Sequence, residues 1–353
     1  MEPVKSNDNR IWHYDLLRIL ACFSVIMLHS AAQCWYILPV TDSSWLTANT
    51  YDGLFRFGVP IFVMISGALF LAPGRECSLK RLYTHNILRL VIVYVFWSLA
   101  YALWTAHHNP GLGQGWKAFL KLCIEARYHM WFIPMLIGIY MLLPILRILT
   151  AHAEKKILEY FLLLFVVCQI LQQTALAFTA SETVTKALTL LPVEMAQSYL
   201  GYFILGYYLA HFPMKRAWHF RLYLAGFVSI IAGALLSNYL SVKSGVPNTL
   251  IYDSYSIFIF LGSAAIFLFF KEEVSRLRIG TRTGKVIRGI SDCTLGIYLI
   301  HLMVMEGLYY LGFYSMSVNN LIGIPLLAVL CFVIGLLVIA VVRRIPRIGK
   351  RIC

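Results

Sequence analysis

Ten stretches of this chain are each apolar for about the length that a helix needs to cross a bilayer, roughly 20 residues. They fall at 16–36, 54–72, 86–106, 130–149, 157–178, 196–212, 221–240, 251–270, 293–312 and 320–342. Hydrocarbon offers backbone amides no partner, so each run must satisfy its own N–H and C=O groups, and helix is the expected form. The sixth run is short and rich in glycine, and so the weakest of the ten. With 60% hydrophobic and 13% charged residues, little sequence remains for anything outside the membrane. We therefore expect an all-α integral membrane protein of about ten transmembrane helices, a single transmembrane domain over 1–353, and no soluble domain. Residues 1–15 are polar and no small-residue cleavage site follows the first run, which reads as a retained span. The longest connection is 107–129. Within it, Trp116 to Ala126 places apolar residues at helical spacing with Lys117 and Lys121 opposite, which predicts a helix lying in the membrane interface.

The connections set the orientation. Counting alternate ones, the first set holds twenty-two Lys and Arg and the second set five, Lys117, Lys121, Arg127, Lys186 and Lys243. Basic residues collect on the cytoplasmic side, so both termini are expected in the cytoplasm. The same asymmetry accounts for the net charge of +14 and removes the need for a nucleic-acid partner. The eight cysteines show no CxxC spacing. They read as small apolar packing residues rather than a disulfide or metal framework, and no metal site is expected.

Ionisable residues inside the apolar runs are where chemistry is expected. Arg18 and His29 lie on the first run, eleven residues apart, which puts them within about 20° of one helix face and roughly 16 Å apart in depth. Arg18 then sits near the cytoplasmic surface and His29 beyond the bilayer middle. Arg18 has two readings: an interface anchor that snorkels, or a ligand for an anion. His29 also has two: an interhelical hydrogen-bonding group, or a proton-exchanging base. Asp15 precedes Arg18 by one helical turn and can pair with it. Tyr298 and His301 share a face of the ninth run, and His301 reaches mid-membrane depth like His29. In "VPIFVMISGALF", Ser66-Gly67 allows close approach of another helix. Arg89, with Lys80, Arg81 and His85 nearby, opens the third run on the side of Arg18. Together these have two readings: the positive-inside bias itself, or a basic mouth suited to the phosphates of a cytoplasmic donor.

These residues resemble the acyltransferase 3 family of membrane-bound acyltransferases. The carriers are "YDLLRILACFSVIMLHS", where Arg18 and His29 match the family's Arg/Lys, ten residues, His pattern, then "FGVPIFVMISGALFL", "HMWFIPMLIGIYMLLPIL" and "SDCTLGIYLIH". The nearest likeness is to the stand-alone branch that contains the O-acetyltransferase of enterobacterial common antigen. The resemblance implies transfer of an acyl group, usually acetyl, from cytoplasmic acyl-CoA to a hydroxyl of a cell-surface or lipid-linked carbohydrate, in the bacterial cytoplasmic membrane. It implies acetyl-CoA as co-substrate, with Arg18, Arg89 and Ser66 on the donor side and His29, Tyr298 and His301 at the reaction. His29 is then either a base or the nucleophile that takes the acyl group. Two departures stand out. Asn86 replaces the first arginine of the family's Arg-x-x-Arg pair, leaving Arg89, and Met135 to Gly138 lacks the glutamates many members carry there. The rival reading is a multi-pass transporter of a small metabolite or amino acid, with the same histidines and arginines as a proton relay. A purely structural scaffold leaves Arg18, His29 and His301 unexplained.

Overall fold

The computed structural model describes residues 11–74, 78–112, 115–179, 181–189, 198–346 and 349–353. Expectations that rest on Lys5, Arg10, Arg75, Cys77, Arg347, the side chain of Lys350, or the opening two residues of the sixth run lie outside the described residues.

Among the described residues the chain is helical, with no strand. Eight helices among the described residues are long and apolar enough to cross a membrane, and a bent helix pair brings the number to nine. This revises the expected ten at three runs, each for a physical reason. The sixth run is α10, Leu200–His211, of 12 residues. At 1.5 Å per residue it spans about 18 Å, short of the ~30 Å hydrocarbon core. Nine of its residues are buried, so its apolar character reflects a core position rather than contact with lipid. The fourth run is broken into α6, Phe132–Met141, and α7, Leu143–His152, with a bend of 53°. Pro144 is at the start of α7, where its missing N–H costs nothing to the new helix but ends the old one. The second run begins earlier than its hydropathy indicates. The span covers Ser43–Phe70 as α2, Ser43–Phe55, and α3, Gly58–Phe70.

The polar half of that span explains the difference. Asn49 is fully buried, yet its amide oxygen accepts from Trp35 Nε1 (2.9 Å) and Tyr252 Oη (2.7 Å). Its nitrogen donates to Ser237 Oγ (3.0 Å) and Asn238 Oδ1 (2.7 Å). A polar residue satisfied by neighbouring helices is no obstacle to spanning. The Asp42 carboxylate caps α2 by accepting from Ser44 N at 2.7 Å.

The first helix, α1 (Trp12–Trp35), is the centre of the fold. It packs against α2, α3, α13 (Thr281–Tyr310) and α14 (Asn320–Val342). The remaining elements are α4, Leu79–His108, α5, Trp116–Glu125, α8, Lys155–Leu176, α9, Glu182–Thr189, α11, Arg216–Ser244, α12, Ile257–Glu272, and the short α15, Gly349–Ile352. The expected helix at Trp116 is α5, and it buries no residue in the protein. Ser66-Gly67 admits another helix as expected: the Gly67 Cα faces the backbone of Phe203 on α10, and Gly206 of α10 faces the backbone of Met64. Seven cysteines are described and all are free.

Candidate active site

The central packing of α1 on α13 brings the two predicted histidines together. The His29 and His301 rings are 5.1 Å apart between centroids. A third imidazole joins them: His129 lies 5.1 Å from His301 and 6.5 Å from His29. His129 belongs to a single 3-10 turn, Tyr128–Trp131, that leads into α6. The Tyr128 hydroxyl is 3.5 Å from His29 Nδ1. His301 and His129 are 0% and 2% exposed, whereas His29 is only partly buried.

Backbone carbonyls fix two of these rings. His301 Nδ1 donates to the carbonyl of Tyr298, one turn earlier (2.5 Å). His129 Nε2 donates to the carbonyl of Leu299 (3.3 Å), which also accepts from Tyr101 Oη (2.7 Å). The Tyr298 hydroxyl donates to the carbonyl of His129 itself. So α13 holds the 3-10 turn from two sides, and Tyr298 positions the third histidine.

On one flank of the cluster Arg127, the residue before Tyr128, pairs with Glu306 of α13. Glu306 also accepts from Trp104 Nε1 of α4 at 2.7 Å. On another flank Arg56 donates two hydrogen bonds to Asp52 (2.7 and 2.6 Å) and lies over the Tyr252 ring. Arg56 is within electrostatic reach of His29. Both arginines are partly buried, about a third exposed, and each is paired with a carboxylate. Among the described residues no group of three or more His, Cys, Asp or Glu is arranged to hold a metal ion.

The remaining predicted residues converge on one cavity of about 790 Å³. Arg18, Ser66, Arg89 and Tyr298 all line it, together with Arg81 and Arg343. Arg18 is paired with Asp15 at 3.1 Å and is 30% exposed, and Asp15 accepts from Ser291 Oγ (2.7 Å). Arg89 donates to the Cys353 carbonyl (2.8 Å), and Arg343 pairs with Asp292 (3.3 Å). The Ser66 hydroxyl donates back to the Phe62 carbonyl of its own helix (2.9 Å). It contributes a small polar wall rather than an exposed donor. The cavity edge at 82–87 is a π-helical turn that carries His85 and Asn86, a distortion common at functional sites. Tyr298 belongs to both places. It lines the cavity, and its ring is 5.5 Å from His129 and 6.0 Å from His301. A second cavity, of about 730 Å³, is lined by Gln33, Ile37, Tyr309, Tyr310, Tyr314 and Met316. Gln33 is one helical turn beyond His29 on α1, on the side away from Arg18.

Sequence reasoning therefore found two of the three imidazoles and the arginine side of the cavity. It missed His129, Tyr128, Arg127 and Glu306. Glu306 carried a signal, being an acid inside the apolar run 293–312. His129 sits at the boundary between a connection and a run, where hydropathy gives no depth.

An arginine-lined cavity that shares Tyr298 with three clustered imidazoles, within a protein of many long apolar helices, sets out the polar groups of a candidate reaction site. The class is given by the family match, and it is the membrane acyltransferases. The family model described as "Acyltransferase domain", of the acyltransferase 3 family, matches residues 11–344, and the chain belongs to that family. No curated protein and no solved structure matches it.

Proposed function

We propose that this membrane acyltransferase is an O-acyltransferase that uses acyl-CoA, with acetyl as the acyl group, and modifies a hydroxyl of a cell-surface or lipid-linked carbohydrate. The observation that carries the reading is the arginine-lined cavity whose wall includes Tyr298, the residue that also supports the imidazole cluster. Guanidinium forks suit phosphates, and Arg18, Arg81, Arg89 and Arg343 supply four of them around one space. The pantetheine arm is thin enough to carry a thioester past Tyr298 toward His29. The cavity lined by Gln33 and three tyrosines suits the acceptor, since tyrosine rings present an apolar face and a hydroxyl to a sugar. The twenty-two to five charge asymmetry supports a cytoplasmic donor side, an acceptor side outside, and cytoplasmic termini. The proposed setting is the bacterial cytoplasmic membrane. On the sequence resemblance, the branch proposed is that of the enterobacterial common antigen O-acetyltransferase.

In the reaction His29 takes the proton of the acceptor hydroxyl. The oxygen attacks the thioester carbonyl carbon, the C–S bond breaks, and the departing CoA thiolate receives the proton from the imidazolium. The products are an ester and free CoA thiol. Tyr298 holds His129, and His301 packs beside His29. The test is transfer from radiolabelled acetyl-CoA to envelope carbohydrate by the purified protein and by His29→Gln, with an acid quench to trap acyl-enzyme. Loss of transfer in the variant supports the reading. Undiminished transfer removes His29 from the chemistry, and trapped acyl-histidine makes it a nucleophile instead. Substrate flux into liposomes with no acyl transfer establishes the transporter.

A further inference from the structure

The carbonyl contacts of His129 and His301 determine more than ring orientation. A carbonyl oxygen only accepts, so the nitrogen facing it carries the proton. His301 is thereby protonated on Nδ1, and His129 on Nε2. An imidazolium buried without an anion is costly, so each ring keeps a lone pair on its other nitrogen. Those atoms are His301 Nε2 and His129 Nδ1. Both are buried, and neither has a hydrogen-bond partner among the described residues. Two bare acceptors, on rings 5.1 Å apart and each adjoining the partly accessible His29 ring, are an unusual thing to leave unsatisfied, because each orphaned buried acceptor carries a desolvation cost.

We propose that His129 Nδ1 and His301 Nε2 form a subsite for hydroxyl donors, which holds the acceptor by two O–H groups beside the one that reacts at His29. This rests on the acyl-transfer reading above and specifies the acceptor's chemistry: a polyol with neighbouring hydroxyls, such as a sugar ring, rather than a simple alcohol. The two histidines bind and orient, while proton removal stays with His29. A site built to hydrogen-bond hydroxyls discriminates strongly against an analogue that lacks them, since its buried acceptors are then left unpaired.

The geometry of the two side-chain amides provides a crossed test. In Asn the amide group lies where a histidine has Nδ1, and in Gln where it has Nε2. At position 129, His129→Asn keeps the acceptor of the subsite and loses the bond to the Leu299 carbonyl, whereas His129→Gln does the reverse. At position 301 the roles exchange: His301→Gln keeps the acceptor and His301→Asn keeps the bond to the Tyr298 carbonyl. The four full-length variants are compared in lipid nanodiscs, with acetyl-CoA as donor and the envelope carbohydrate fraction of producing cells as acceptor. Thermal midpoints control for folding. The expected result is an apparent KM for the acceptor within about threefold of native for His129→Asn and His301→Gln. It rises about tenfold or more for His129→Gln and His301→Asn, as loss of one hydrogen bond at a binding site implies. The KM for acetyl-CoA stays unchanged throughout. The opposite pattern, in which the variants that keep the backbone bonds retain activity, makes both histidines structural and overturns the subsite. A parallel rise in both KM values does so too. If the native protein consumes no acetyl-CoA at all, the functional reading itself falls, and the subsite with it.

Discussion

The crossing of α3 and α10 is close enough to be tested by adding one carbon atom. A methyl at Gly67 would sit 1.8 Å from the carbonyl oxygen of Phe203, and one at Gly206 would sit 2.0 Å from that of Met64. Ordinary contact begins at 3.4 Å, so either alanine requires the two helices to separate by about 1.4–1.6 Å. The obstructing atoms are backbone, which cannot turn aside as a flexible side chain would. Overpacking costs typically 1–3 kcal/mol, and a backbone obstruction puts each single variant, Gly67→Ala or Gly206→Ala, near ~3 kcal/mol. The two clashes are reciprocal, however, and one separation relieves both. The double variant is therefore expected to cost about 3–4 kcal/mol rather than ~6, a coupling of the size seen between touching residues. Reversible unfolding in mixed micelles gives the four corners of the cycle. Acyl transfer should fall in step, because α3 carries Phe62 and Ser66 of the arginine-lined cavity. Singles within about 0.5 kcal/mol of native, or strict additivity of two large effects, would refute the argument from close approach.

Three further outcomes follow from the same structure. Arg18→Lys keeps the charge but loses the planar fork, and should raise the KM for acetyl-CoA by about tenfold while leaving the thermal midpoint unchanged; steady-state kinetics checks this, and an unaltered KM returns Arg18 to the role of interface anchor. Glu306→Gln leaves Arg127 without its counter-charge, and because both side chains are about a third exposed the cost should be about 1 kcal/mol, well below that of a fully buried pair; adding Arg127→Gln should recover part of it, and a double variant less stable than the single would contradict the pairing. The Cys353 thiol is fully buried, and burial pushes it up to about 11; since the thiolate is the reactive form, iodoacetamide should leave it unlabelled at pH 8 in the folded protein and label it after unfolding.

How much of this was legible in the sequence depends on what decides each feature. Spanning helices are written in runs of apolar residues, and α1, α11, α12 and α14 stand close to where those runs stand, whereas α13 begins twelve residues before its run. The N-terminal half of the Ser43–Phe70 span was not legible, because Asn49 is made tolerable by Trp35, Ser237, Asn238 and Tyr252, which come from three other segments. Conversely α10 looked like a span because a core helix and a lipid-facing helix are equally apolar. His29 and His301 meet because helical rise converts residue number into position along α1 and α13. His129 had no such ruler. It lies in a 3-10 turn, and its place beside His301 is set by tertiary bonds to α13.

Tyr298 links the two halves of the proposed chemistry, and its hydroxyl and its ring do separable work. The hydroxyl holds the His129 carbonyl. The ring stands in the wall between the arginine-lined cavity and the imidazoles. Tyr298→Phe removes only the hydrogen bond, worth about 1 kcal/mol, so transfer should fall roughly fivefold through a displaced His129. Tyr298→Ala removes the wall as well. Water from the cavity then reaches the thioester, and hydrolysis of acetyl-CoA should rise relative to transfer, because excluding water is what suppresses that side reaction. The ratio of free CoA thiol to acylated carbohydrate measures both effects in one reaction. A Phe variant equal to native would detach the hydroxyl from the placement of His129. An Ala variant whose ratio is unchanged would mean that water is kept from the thioester by something other than this ring, and the path past Tyr298 would have to be given up.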